Sequence, residues 1–192
     1  MQKAQGKLKH LGLMVLMVLL VSCTVHSGQE SSLQTALVRE SDFSPDWHWT
    51  ARADRVESEL DTGTEGVSQV LSGLYSSKQH YVKIMHLILR HDRPVSCDLI
   101  GLGDDSSFPE GEDFSIETVT VGRCVKSKCV RGLGSKSPST MVCQVTVGYE
   151  YVTSGLTIYG PGNMSDQDIE TIINEALTGT DARIERIDNS PE

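Results

Sequence analysis

Four cysteines, Cys97, Cys124, Cys129 and Cys143, are the residues whose types and spacing first suggest chemistry. Thiols ligate zinc, exchange electrons or crosslink. Only Cys124-x4-Cys129 has the spacing of a zinc pair, and no second close pair follows. No C-x-x-C motif is present, which argues against a dithiol redox enzyme. An even number of cysteines in an exported chain reads instead as two disulfides. His80, His86 and His91 are spaced by six and five residues, which does not set three rings on one face of a helix or strand. There is no G-x-S-x-G elbow and no H-E-x-x-H helix. The segment from Gly132 to Ser137 fails the phosphate-loop order, and the acids are too scattered to nominate a glycosidase pair. The residues therefore predict no metal, no cofactor and no catalytic set.

The fifth cysteine has a different setting. Lys3, Lys7 and Lys9 precede an uncharged run from Leu11 to Val21, and Leu20-Val21-Ser22-Cys23 ends it. Eleven apolar residues are too few for a stable span, which needs about 20, and are the length of an export signal core. Together these features resemble the signal peptide and lipobox of bacterial lipoproteins. The resemblance covers residues 1–23 alone. It implies cleavage of a 1–22 signal peptide, acylation of the Cys23 thiol, and stable anchoring by two or more chains without spanning. Thr24, where Asp would favour retention, implies an outer-membrane destination, with the domain on the periplasmic face.

Removing Lys3, Lys7 and Lys9 with the leader takes the net charge from −9 to −12. So acidic a chain argues against nucleic-acid binding. Yet no acid occurs from Thr118 to Gly148, a stretch that holds Arg123, Lys126, Lys128, Arg131 and Lys136. This segregation predicts a contact surface for an anionic envelope protein or polymer. The alternative is internal balance against the acidic loop at 104–113. Trp47 and Trp49, one residue apart, either anchor the domain start to its core or stack on sugar rings.

The elements that position these residues follow from periodicity. The polar stretch 23–44 reads as a lipidated N-terminus and flexible tether, leaving one domain at 45–192. Val67, Val70, Leu71 and Leu74 suggest a helix at 65–75. His80 to His91 reads as a buried strand, with 95–102 returning as its hairpin partner. Residues 116–131 and 141–151 read as a hairpin centred on Lys136. Its register opposes Cys129 to Cys143 and Val125 to Val147, with Lys126 and Lys128 on the outward face. That register favours a Cys129–Cys143 bridge and leaves Cys97 for Cys124; Cys124–Cys129 is the competing pairing. A short strand at 155–159 follows. Ser165 caps a helix at 166–178, with Gly179 as its stop, and 181–187 alternates like a last strand.

The fold class expected is α+β: an antiparallel sheet of about five strands with one or two helices packed on one face. The expected function is a lipid-anchored, non-catalytic binding or assembly protein of the cell envelope. The alternative is a tethered envelope enzyme or enzyme inhibitor acting on peptidoglycan.

Overall fold

Alternation in Met141, Cys143, Val145 and Val147 sets the sheet. All four are buried, and their neighbours Gln144 and Thr146 point the other way. The computed structural model describes residues 32–52, 57–58, 66–102, 107–133 and 139–189. Within them, β6 (Cys124–Gly132) and β7 (Thr140–Gly148) pair with Cys129 opposite Cys143 and Val125 opposite Val147, the register read from the sequence. A tight turn, closed by Tyr149 N–H on Val152 O at 2.8 Å, leads into β8 (Val152–Pro161). β8 joins β4 (Val82–His91), and β4 joins β3 (Val67–Ser77). β1 (Trp49–Arg52) and the two-residue β2 (Glu57–Ser58) both pair with β3, and β5 (Gly111–Phe114) closes the other edge on β6. The order is β1-β3-β4-β8-β7-β6-β5, antiparallel throughout.

One long helix, α1 (Asp166–Asp188), lines the inner face. Ser165 caps it, its Oγ accepting the Asp168 N–H at 3.1 Å. Ile169, Ile172, Ile173, Ala176 and Leu177 form the predicted stripe and share one core with Leu71, Ile84, Ile88, Leu156 and Ile158 of the sheet. The helix does not stop at Gly179, and 181–187 is not a strand. Thr180, Ile184 and Ile187 carry the buried stripe onward at helical spacing, which outweighs one glycine. Gly179 serves close approach instead: a Cβ there would lie 2.5 Å from the Asp42 Cβ. At the helix C-terminal end, the Asp188 carboxylate accepts the N–H groups of Glu150 and Tyr151, and Asp181 accepts the Tyr149 hydroxyl at 2.9 Å.

The packed unit begins at Ser32, well before position 45. Leu33, Ala36, Leu37, Val38 and Phe43 are buried, so 32–44 is part of the core and not of a tether. Their scattered spacing is that of successive 3-10 turns at Ser32–Ala36 and Glu40–Asp42. The turns wedge between α1 and the sheet through buried polar contacts. The Arg183 guanidinium grips Asp42 with two nitrogens, Nη1 donating to Oδ1 at 2.9 Å, and also donates to Leu37 O at 3.1 Å. Val38 N–H donates to His86 Nδ1 at 3.0 Å. The opposite nitrogen of His86 therefore carries the proton and donates to Ser154 Oγ at 2.9 Å. Trp47 and Trp49 are buried, stacked with centroids 6.2 Å apart, and Phe43 packs on Trp49. They anchor the domain start to the core, which removes them as a sugar platform.

Other expectations change with the sheet. Residues 67–77 are a strand: Leu71, Gly73, Tyr75 and Ser77 alternate inward, a period-two pattern that overrides the helical spacing of the valines and leucines. The partners of β4 are β3 and β8; residues 95–102 form a loop. Residues 115–123 are irregular and join β5 to β6. The leader, Cys23 and Lys136 lie outside the described residues.

Two predictions test this clamp. Asp42→Ala leaves a part-buried guanidinium without its carboxylate and is expected to cost about 1–3 kcal/mol, measured by urea denaturation. Gly179→Ala is expected to destabilise as well, against the helix-propensity gain of about 1 kcal/mol, because its methyl meets Asp42. A third concerns pH. Burial, aided by the Arg183 charge and opposed by Asp42, lowers the His86 pKa from 6.5 to about 3. Between those values the unfolded chain binds a proton that the folded chain does not. Stability is therefore complete above pH 6.5 and falls as pH drops toward 3. His86→Gln is expected to flatten the slope between pH 6.5 and 5, leaving a residual slope of the same sign from His91, whose pKa burial also lowers.

Candidate functional site

The two faces of the sheet are covered differently. The inner face is closed by α1 and the N-terminal turns. On the outer face, β4 presents Met85, Leu87, Leu89 and His91, β8 presents Thr153, Gly155 and Thr157, and β7 presents Gln144 and Thr146. These residues floor a groove of about 570 Å³ whose wall is the 93–101 loop. The volume lies within the usual span for small-molecule sites, roughly 300–1,000 Å³.

The wall is pinned at several points. Val95 N–H donates to Glu150 O at 2.7 Å. Cys97 is joined to Cys124, with Cα atoms 6.0 Å apart. Ile100 is buried against the Cα of Gly148, where a Cβ would meet its side chain. Lys126 Nζ donates to Ile100 O at 2.9 Å. The second disulfide, Cys129–Cys143, crosses β6 and β7 on the inner face, within the core. Pinning leaves two large apolar groups in water at the groove: Leu99 on the wall is 83% exposed and Met85 on the floor 39%.

Gly155 is the informative floor residue. It sits between Leu87 and Thr146 in mid-sheet, where a glycine weakens a strand. A Cβ there would come no nearer than 3.9 Å to any neighbour. Packing does not demand glycine at this position. What the missing side chain leaves is an open notch in the floor, between Thr153 and Thr157 along β8 and between Leu87 and Thr146 across it.

The five predicted contact residues do not share one surface. Lys126 and Lys128 project outward along β6, opposite the groove residues Thr146 and Gln144. Lys126 braces the wall, and the Lys128 ammonium lies 4.7 Å over the Phe108 ring. Arg123 is exposed at the start of β6. Arg131 faces the inner side. Its guanidinium stacks 4.2 Å from Phe114, donates to Gly162 O and Met164 O at 3.0 and 2.9 Å, and pairs with Asp166, so it ties β6 to the start of α1. Lys83 joins Lys126 and Lys128 on the outer face, and among the described residues β4, β8, β7 and β6 present no carboxylate there. At one end of the groove His91 meets Thr153 Oγ1 at 3.0 Å, and Arg93 follows. The histidines are not brought together: His80 packs on Trp47, His86 is in the core and His91 is at the groove. Among the described residues no three His, Cys, Asp or Glu side chains cluster to hold a metal.

Sequence reasoning missed the groove. Its signal lay in 82–91, where Val82, Ile84 and Ile88 alternate with Met85, Leu87 and Leu89, so that both faces of the strand are apolar. The lone Gly155 inside a strand pattern was the second signal. No family model, curated protein or solved structure matches this chain. Among the described residues no helix is long and apolar enough to cross a membrane.

Gly155→Val is expected to stabilise the protein by about 0.5–1 kcal/mol by removing the backbone freedom of glycine, read as a raised urea midpoint. An unchanged or lowered midpoint would mean that the position is more crowded than its geometry indicates.

Proposed function

We propose that this protein is a lipid-anchored accessory protein of the bacterial cell envelope with a binding, not catalytic, role, and that the outer-face groove is its binding site. The observation that carries this reading is the groove itself: a disulfide-pinned loop holds Leu99 in water beside a floor that exposes Met85 and lacks a side chain at Gly155. Exposed apolar groups in a formed concavity are the usual mark of a ligand or partner site. The anchored location is supported by the lipobox at Cys23, and the two disulfides accord with an oxidising compartment. Such an anchor would keep the groove near the outer membrane at high local concentration. The net charge disfavours nucleic acid and anionic membrane surfaces as partners.

Metabolic labelling with an alkyne fatty acid, followed by intact mass and membrane fractionation, is expected to find an acylated product that starts at Cys23 in the outer membrane. A mature chain without acyl groups would overturn the anchored reading. A photo-crosslinking residue placed at Leu99 is expected to give a discrete adduct in cells that Gly155→Phe abolishes. The same residue at Thr171 on the exposed side of α1 should give none. Equal adducts at both positions would overturn the groove as the binding site.

A further inference from the structure

Resting on the reading of the groove as a binding site, we infer that its ligand is a single-chain anionic amphiphile: one acyl chain carrying a carboxylate or phosphate head. Three observations point there. First, one flank of the floor is apolar along its length, beside a polar flank of Gln144, Thr146, Thr153 and Thr157. Met85, Leu87 and Leu89 follow one another on the outward face of β4. From Met85 to His91 the strand covers roughly 20 Å, the dimension of a long acyl chain lying flat. Second, the notch at Gly155 is one residue wide, flanked by Leu87 and Thr146. A flexible methylene chain fills such a slot, and each CH₂ removed from water contributes roughly 0.8 kcal/mol.

The third observation is charge. The chain has 26 acids and 17 Lys and Arg, yet the groove lining holds Arg93 and His91 and, among the described residues, no carboxylate. Lys126 and Lys128 flank the β7 side of the groove and Lys83 stands beyond Met85. The acids nearest this face stand at its margins, Asp98 on the wall loop and Asp113 opposite Val130 on β5. A cationic border around a groove with an apolar flank complements a ligand with one negative end and one hydrocarbon end. The head would lie at the His91–Arg93 end, where Thr153 Oγ1 offers a further polar contact, and the tail would run toward Met85.

The test uses the full-length acylated protein in phosphatidylcholine nanodiscs. The probes are three diazirine-bearing chains of equal length: a fatty acid, a lysophosphatidic acid and a fatty alcohol. Peptide mapping after irradiation is expected to place adducts of one or both anionic probes within 85–91 and 144–157. The probe that labels more strongly identifies the head as carboxylate or phosphate. The alcohol is expected to label these peptides at least fivefold less, and Arg93→Gln, at the head end, to shrink that preference to about twofold. Gly155→Phe, with unchanged circular dichroism, is expected to lower labelling at least tenfold. Equal labelling by the alcohol, or labelling indifferent to Gly155→Phe, would overturn the inference. Absence of labelling by every probe, while the Leu99 crosslink in cells persists, would overturn the amphiphile and leave the binding reading intact. Loss of both would end both.

Discussion

A central strand in water has two faces to cover, and β4 is apolar on each. Val82, Ile84 and Ile88 point inward and Met85, Leu87 and Leu89 outward, so a single layer over the sheet cannot satisfy it. The fold answers with unequal covers. The inner face receives a 23-residue helix and the 3-10 turns at Ser32–Ala36 and Glu40–Asp42, whose core-facing apolar side chains are buried. Among the described residues the outer face receives only the short 93–101 loop, which covers part of the strand and leaves Met85 and Leu99 wet. Hydrophobic burial of roughly 25 cal/mol per Å² would favour completing that second cover. Its incompleteness is the physical basis for placing a ligand there.

The inner cover depends on polar groups as much as on packing. Asp42, Arg183, His86 and Ser154 lie between the N-terminal turns, α1 and the sheet, and their hydrogen bonds fix how the three layers meet. Greasy contacts alone tolerate sliding; a two-pronged guanidinium–carboxylate contact and a histidine held in one tautomer do not. The arrangement also explains a glycine inside a long helix. Asp42 must come close to α1 for its carboxylate to reach Arg183, and Gly179 is where the helix lets it.

The sequence made the hairpin legible because its two strands are apolar mainly on one side, with the Val130–Val142 pair the outer-face exception. Period two then has one solution, and the Cys129–Cys143 opposition follows from it. The same logic failed for 65–75. There Val67, Val70, Leu71 and Leu74 straddle both faces of β3, since Leu71 is inward while Val70 and Leu74 share the outer side; apolar residues on two faces imitate helical spacing. The helix end was misread because local propensity at Gly179 was weighed against nothing, while the competing term, burial of Ile184 and Ile187 against a segment more than 140 residues away, is tertiary. Residues 32–44 were missed for a related reason: 3-10 turns have no strong period, and their apolar residues look scattered until the helix and sheet they fill are known. Lys126 and Lys128 were placed on the correct face, but the groove beside them needs β4 and β8 adjacent, a long-range pairing that no local pattern encodes.

The wall of the groove ties the site to its compartment. Between residues 93 and 101 only Ile100 is buried, so the loop has little apolar grip on the sheet. Its other contacts include the Val95–Glu150 and Lys126–Ile100 hydrogen bonds, each worth on the order of 1 kcal/mol net. That is close to the cost of ordering one or two residues of backbone. The Cys97–Cys124 bridge, closing 27 residues of chain, contributes more than either bond by removing freedom from the open loop. In a reducing cytosol the loop would lose this restraint and the groove its wall, while the inner core, held by α1 and the Asp42–Arg183 contact, would not depend on it. Reduction would also open Cys129–Cys143 inside the core, but the groove wall has the fewest other restraints, so a shaped groove belongs to the oxidised protein. On the proposed reading, export would be a condition of binding as well as a change of address.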